Sequence, residues 1–112
     1  MRLQMMSNSI KWLNADILSN IFKDYPLYSQ DNKKDKKVIL EVFIPNQNMY
    51  WLLLEGNKEE DDFTFFGYCK ILEAEFGYVS FNELHSLKYD IQYIHHSIPI
   101  SLEELQAKYK ID

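Results

Sequence analysis

The sequence has little cysteine, glycine or proline, and it has no long hydrophobic run. With Cys69 as its one cysteine, the chain cannot form an intrachain disulfide, so nothing indicates an oxidising compartment. Three glycines and three prolines exclude a Pro/Gly-rich linker protein. The longest apolar run, residues 49–54, is too short to cross a bilayer, and residues 1–6 lack the apolar core of a signal peptide. We therefore expect a cytoplasmic protein that does not associate with a membrane.

The length and composition favour one folded domain. The chain has 112 residues, of which 46% are hydrophobic and 15% aromatic, enough for one compact core but not for two. We expect residues 1–112 to form this domain, with residues 1–11 as a poorly ordered N-terminal extension. The net charge of −5 argues against broad electrostatic binding to a phosphate backbone.

Hydrophobic periodicity and capping residues predict the secondary structure. Asn14, Ser80 and Ser101 are typical helix caps, and they predict helices over residues 15–23, 81–87 and 102–109. Runs with strand-like alternation or β-forming residues are residues 38–44, 49–55, 63–72, 75–79 and 89–94. The polar residues 56–62 are expected to form a loop. These elements predict an α+β fold: a four- or five-stranded, mostly antiparallel sheet with three short helices packed on one face.

The tripeptide Phe-Gly-Tyr occurs twice, with Gly67 and Gly77 at its centres. Glycine weakens a strand interior unless it serves a bulge, a bend or a close approach to the backbone. Two glycines in facing strands therefore indicate either a strongly curved sheet or a surface where another group approaches the main chain.

Acidic and aromatic side chains cluster in the second half of the chain, and together they predict a protein interface. The acids are Glu55, Glu59, Glu60, Asp61, Asp62, Glu73 and Glu75. Such a surface favours docking to a basic partner, because complementary potential speeds and orients association. Adjacent strand residues face opposite ways, so Phe66 is expected opposite Phe65, where it forms an exposed patch with Tyr68 and Tyr78.

A lysine-rich loop supports an alternative role as a nucleic-acid-associated factor. The basic residues are Lys33, Lys34, Lys36 and Lys37. Tyr25 and Tyr28 lie just before them and could stack on bases. Because Asp31 and Asp35 interrupt the lysines, a solvated loop is the competing interpretation.

The potentially catalytic residues form no recognised motif. His85, His95 and His96 lack metal-ligand spacing, and Cys69 falls on the core side of its strand, where a thiol is inert. We therefore expect no metal, cofactor or catalytic residue. A small hydrolase using Glu73 or Glu75 with a histidine remains a third hypothesis, which a pocket holding His95 or His96 against a carboxylate would favour.

The segment Thr64-Phe65-Phe66-Gly67-Tyr68, followed by Glu73 and residues 75–84, resembles a known family. Weaker pieces fit in order: residues 13–18, Tyr50-Trp51, Glu55-Gly56 and residues 98–102. The family is the domain of unknown function 2958, whose members occur on bacterial plasmids, phages and conjugative elements. The resemblance implies a setting rather than a catalytic residue.

Combining the setting with the acidic and aromatic residues, we expect a non-enzymatic, protein-binding accessory factor of a phage or mobile element in the bacterial cytoplasm. Its partner would have a basic surface, such as a host nuclease complex. The specific hypothesis is an inhibitor of a host nucleic-acid defence complex of the anti-CRISPR or anti-restriction type.

Overall fold

A computed structural model describes residues 7–110 as an α+β structure. Its strands are β1 Asn8–Ser9, β2 Lys37–Phe43, β3 Tyr50–Glu59, β4 Asp62–Lys70, β5 Ala74–Ser80 and β6 Gln92–Ser101. Its helices are α1 Ala15–Ile21, α2 Phe81–Ser86 and α3 Leu102–Tyr109, preceded by a short 3-10 turn at Ile10–Trp12. Among these described helices, none has the length and apolar character that crossing a membrane requires.

The six strands form one antiparallel sheet in the order β1-β6-β2-β3-β4-β5. The predicted class and antiparallel sheet are confirmed, but the predicted count of four or five strands is too low. The additional strand, β1, has two residues that pair with Tyr93 and Gln92, and Ile10 after it is buried. Residues 7–11 therefore belong to the fold instead of a poorly ordered extension, and the rest of that predicted extension, residues 1–6, lies outside the described residues.

The helices cover both faces of the sheet, which corrects the expectation that they pack on one. Leu18 and Phe22 at α1 and Phe81 and Leu84 of α2 join the larger core on what we call the α1 face. On the opposite side, the α3 face, Leu102 and Leu105 pack against Val38, Tyr50, Leu52 and Leu54. The physical reason is the unbroken apolar run in β3, since a strand that is apolar on both sides must be covered on both.

The helix starts follow the predicted caps. The side chain of Asn14 accepts a hydrogen bond from the Ile17 amide at 2.8 Å, and that of Ser80 accepts from the Glu83 amide at 3.3 Å. The third helix also starts where predicted, but the Ser101 hydroxyl donates to Asp35 instead. The Leu102 amide donates to the Lys36 carbonyl, so the lysine loop is tied to the start of α3.

Two strands extend further than the sequence pattern predicts. The expected loop at residues 56–62 is mostly hairpin: β3 continues to Glu59 and β4 begins at Asp62, with Glu60 in a left-handed conformation in the turn. The pattern misses this extension because the outer residues of β3 are exposed and polar. The last strand, β6, begins later than predicted and continues through Pro99, which lies where the β2–β6 register shifts and a proline is tolerated.

Candidate functional site

A groove of about 650 Å³ lies on the α1 face, between α2 and the β4–β5 hairpin. Its lining is largely apolar and includes Trp51, Cys69, Ile71, Leu72, Val79, Leu84 and Leu87. The carboxylates of Glu73, Glu75 and Glu83 also line it. Two of these acids, Glu73 and Glu75, are sequence-predicted interface residues, and both are exposed. An apolar floor with several carboxylates can accept a side chain that is both apolar and positively charged.

The twin glycines have different roles in the structure. Gly67 and Gly77 pair directly across β4 and β5. A Cβ atom on Gly67 would lie 2.4 Å from the Leu52 carbonyl oxygen, so this position requires close approach between backbones. A Cβ atom on Gly77 would meet nothing within 4 Å, and Gly77 lines the groove. Gly67 therefore allows the backbones of β4 and β3 to approach closely, whereas Gly77 leaves open space in the groove.

The structure brings the predicted aromatic residues together on the α3 face of the β4–β5 hairpin. We call Phe66, Tyr68, Phe76 and Tyr78 the aromatic patch. The Phe66 ring lies 5.1 Å from Tyr78, and Tyr68 lies 5.1 Å from Phe76, between ring centroids. Phe76 is 47% exposed and Tyr78 is 57% exposed. Helix α3 covers the neighbouring strands β2 and β3 on this face. The aromatic patch extends beyond the part of the sheet that α3 covers.

The predicted acids do not form one surface, because two of them have structural partners. Glu55 is 2% exposed, and its carboxylate accepts hydrogen bonds from the backbone amides of Tyr28 and Gln30 at 2.8 and 2.7 Å. It thereby holds the loop in which Tyr28 takes a left-handed conformation. A carboxylate enclosed in this way is not available to a docking protein.

Asp62 is an anchor for α2. Its carboxylate accepts hydrogen bonds from the Phe63 and Asn82 amides and the Ser80 hydroxyl. Burial raises the pKa of Asp62, but these hydrogen bonds outweigh burial and lower the pKa below its ordinary value. The negative charge of Asp62 therefore serves the fold.

The remaining predicted acids fall into two separate groups. Glu59, Glu60 and Asp61 are exposed at the β3–β4 turn, whereas Glu73 and Glu75 lie near the β4–β5 turn. Strand β4 has nine residues, so at about 3.3 Å per residue the two turns are roughly 25–30 Å apart. Only Glu73 and Glu75 of the predicted set lie at the groove.

The lysine loop is built around Gln30, a buried residue that sequence reasoning did not single out. The Gln30 side-chain amide donates to the carbonyls of Lys37 and Leu54, and its oxygen accepts from the Lys37 amide. The Lys36 ammonium donates to the Gln30 and Lys33 carbonyls, and the Lys37 ammonium pairs with Asp35 at 2.8 Å. Two of the four predicted basic residues, Lys36 and Lys37, therefore stabilise the loop itself.

The loop nevertheless lies beside the aromatic patch. The hydroxyls of Tyr28 and Tyr78 are 3.4 Å apart, and Tyr28 is 64% exposed. A smaller cavity of about 200 Å³ is lined by Lys34, Lys36 and Phe76 together with the start of α3. Tyr25 differs from Tyr28, because its side chain packs against the larger core and its carbonyl accepts from the Gly56 amide.

A buried charged cluster lies under α3, and its centre, Glu41, was missed by sequence reasoning. Glu41 is 1% exposed, and its carboxylate accepts from His96 Nε2 at 2.9 Å, from Lys108 Nζ at 2.8 Å and from the Tyr109 hydroxyl. Burial by itself raises the pKa of Glu41, but the three hydrogen bonds outweigh burial and lower the pKa to about 2. One acid in the middle of the apolar strand β2 was the available signal.

The Glu41–His96 contact is the kind of pair that the hydrolase hypothesis required, although with a different acid. Neither residue lines the groove or the smaller cavity, and the donors to Glu41 come from β6 and α3. These hydrogen bonds connect α3 and β6 to β2, so the arrangement stabilises the fold.

The other reactive side chains have environments that disfavour chemistry. Burial, with a smaller effect of Glu75, raises the pKa of the Cys69 thiol to about 12, so the thiolate nucleophile is scarce at neutral pH. Burial and the adjacent His96 lower the pKa of His95. Across residues 7–110, no three His, Cys, Asp or Glu side chains are grouped so that they could hold a metal ion.

Comparison with known proteins places the chain in a family. Residues 12–98 match the family model described as protein of unknown function (DUF2958). The chain belongs to the DUF2958 family. This match confirms the resemblance suggested by the residues around the twin glycines. No match is found among curated proteins or among solved structures.

The matched range shows which features of this DUF2958 protein lie within the family domain. It includes the groove, β5, the aromatic patch and the lysine loop. It ends before α3, so Lys108 and Tyr109, which bind Glu41, lie outside it.

Proposed function

We propose that this chain is a non-enzymatic, protein-binding accessory factor of a phage or other mobile element. The observation that carries the proposal is the uncovered β5 side of the sheet. Within residues 7–110 no strand lies outside β5, and the groove and the aromatic patch flank that edge on opposite faces. Exposed aromatic rings beside an apolar groove are typical of surfaces that bind proteins.

The charge of this side supports a partner with a basic surface. Glu73, Glu75 and Glu83 line the groove, and the whole chain carries a net charge of −5. A nuclease complex has a basic surface where it binds nucleic acid. Together with the resemblance to phage and plasmid proteins, this supports inhibition of a host nucleic-acid defence complex, of the anti-CRISPR or anti-restriction type, in the bacterial cytoplasm.

The test combines capture with a matched pair of variants. The tagged full chain is expressed in its native bacterial host, chemically cross-linked and recovered with its partner, which is then purified for binding measurements. Replacing Glu73 and Glu75 by Gln should slow association with that partner about ten-fold or more at low salt, because local charges act mainly on the on-rate. Replacing Glu59 and Asp61 by Gln and Asn removes the same charge at the other end of β4 and should have little effect.

The same purified partner decides the specific form of the proposal. If it is a nuclease complex, adding the chain should block cleavage or nucleic-acid binding, and the Glu73→Gln, Glu75→Gln variant should block less. Equal on-rates for both double variants would contradict the proposed surface. A partner without nuclease or nucleic-acid-binding activity would contradict the anti-defence form.

The contact between Tyr28 and Tyr78, with Lys34 beside the neighbouring Phe76, favours a second candidate, binding to single-stranded nucleic acid. Two exposed tyrosines next to a lysine loop can stack on bases while the ammonium groups contact phosphates. Labelled oligonucleotides should then bind with a steep salt dependence, which the Lys33→Gln, Lys34→Gln variant reduces and the Lys23→Gln, Lys88→Gln control does not. Absence of binding at low salt would exclude this candidate.

A further inference from the structure

The edge of β5 offers a way to bind a protein by its main chain, and the inference drawn from it rests on the proposed function. Strand β5 is the outermost strand of the sheet on its side, and it has seven residues without a proline. An edge strand exposes a row of amide and carbonyl groups that another extended segment can pair with. Partner proteins commonly use this mode, called strand addition, in which main-chain hydrogen bonds give affinity and alternate side chains give specificity.

The groove lies along this edge. Glu75, Gly77 and Val79 are alternate residues of β5, and all three line the groove. A segment paired with β5 would therefore direct every second side chain towards the groove. Because Gly77 has no side chain and open space next to it, the position of the segment opposite Gly77 has room for a large side chain.

The lining determines which side chains fit. Apolar residues form most of the groove, so the large side chain opposite Gly77 should be aliphatic or aromatic. Glu73, Glu75 and Glu83 contribute negative charge, and the described lining contains no Lys, Arg or His. A Lys or Arg two residues away in the segment would reach Glu75, because residues directly opposite in paired strands lie on the same face.

The other face imposes a weaker preference. Phe76 and Tyr78 alternate with Glu75, Gly77 and Val79 along β5, and their rings are exposed on the α3 face, although Tyr78 also lines the groove. The intervening side chains of an added segment would lie against these rings, where Arg or an aromatic residue packs favourably. Pairing of two copies of β5 is disfavoured, since it would bring two acid-lined grooves together.

We infer that β5 is a docking edge for an extended segment of a partner protein, in which a Lys or Arg and a bulky apolar residue two positions apart face the groove.

The first experiment identifies the sequence pattern with a random peptide library displayed on phage. Peptides are selected on the full chain and then depleted on a Gly77→Leu variant, whose added side chain fills the groove. We expect enrichment of a basic and a bulky apolar residue at a spacing of two. The synthetic peptide should bind the Gly77→Leu variant about ten-fold less tightly than the wild type. The Ala107→Leu variant adds the same side chain at an exposed position of α3, outside β5, and should bind the peptide as the wild type does.

The second experiment tests the main-chain pairing. Two versions of the selected peptide are N-methylated at alternate residues, one at the odd and one at the even positions. In a paired strand only one set of amides points at β5, so one version should lose about ten-fold or more in affinity and the other little. Amide hydrogen exchange should slow in β5 when the unmodified peptide binds.

Several outcomes would overturn the inference. These are selected peptides without the spacing, equal binding to the Gly77→Leu and wild-type chains, equal losses for both methylated versions, or concentration-dependent dimers lost in Gly77→Leu. A library that yields no such peptide would contradict strand addition. If the cross-linked partner still associates more slowly with the Glu73→Gln, Glu75→Gln variant, the proposed function stands without strand addition.

Discussion

The two outer sides of the sheet differ in how their edges are protected. On one side, the two-residue strand β1 pairs with the start of β6, and β6 itself contains Pro99, which has no amide donor. On the other side, β5 has neither a covering strand within residues 7–110 nor a proline. Exposed edges promote unwanted pairing, so proteins usually block them. The unprotected edge is therefore the better candidate for a binding surface.

The surroundings of the two edges reinforce this difference. The β6 side contains an exposed apolar residue, Ile98, at 86% exposure. The β5 side combines a groove, an aromatic patch and carboxylates. The β6 side instead has the buried Glu41 cluster, which ties β6 and α3 to β2. One side is stabilised by internal polar contacts, whereas the other leaves its side chains available.

The largest loss of stability should come from replacing Gly67, which lies in β4 between β3 and β5. Gly67→Ala should destabilise the protein by about 3–4 kcal/mol, because the new Cβ atom would collide with the Leu52 carbonyl. Gly77→Ala is the matched variant and should change stability by less than about 1 kcal/mol, because its Cβ atom enters open space. Urea denaturation measures both. Similar losses in the two variants would contradict the distinction between the glycines.

Acid should loosen the β6 side before the β5 side. The pKa of Glu41 is about 2 in the folded protein, below its ordinary 4.5, so the ionised carboxylate stabilises the fold above about pH 4.5. This contribution, up to about 3 kcal/mol, is lost as the pH falls from about 4.5 towards 2. Unfolding free energies across this range should decrease less in Glu41→Gln than in the wild type or in the exposed control Glu59→Gln.

Hydrogen exchange adds the regional part of this prediction. Amides of β6 and α3 should lose protection on acidification before those of β4 and β5, since the Glu41 cluster lies on the β6 side. Uniform loss across the sheet would show that the cluster does not distinguish the two sides.

A smaller difference in stability is expected between variants of two neighbouring acids at the β3–β4 turn, Asp62 and Asp61. Asp62→Ala should cost about 1–2 kcal/mol, because the Ser80 hydroxyl and Asn82 amide at the start of α2, and the Phe63 amide in β4, lose their acceptor. Asp61→Ala should change stability by less than about 0.5 kcal/mol, as is usual for an exposed residue. Thermal unfolding of the two variants under identical conditions measures this difference, and a larger loss for Asp61→Ala would reverse the assignment.

Replacing Pro99 is expected to change self-association rather than stability. Pro99→Thr restores an amide donor to β6 and should alter stability by less than about 1 kcal/mol. If Pro99 protects this edge, the variant should self-associate more than the wild type at high concentration, as measured by light scattering. Unchanged scattering would assign the protection to β1 alone.

Local chemistry determined a large part of the fold before any tertiary contact is considered. The caps at Asn14 and Ser80 act through amides three residues away, so a short stretch of sequence is sufficient to predict them. The alternation in β4 placed Phe65 in the core and Phe66 on the opposite face, because strand residues alternate with period two. The hairpins and the antiparallel class follow from the same short-range patterns.

Tertiary structure alone decided which polar residues are structural and which are exposed. Glu55 lies 25 residues from Gln30, and Glu41 lies 67 residues from Lys108, so no local pattern shows that these acids are enclosed. The same applies to the separation of the predicted acids along β4 and to the different surroundings of Gly67 and Gly77. A side chain's type and spacing determine its face on a strand or helix, but its burial and partners depend on which distant segment packs against that face.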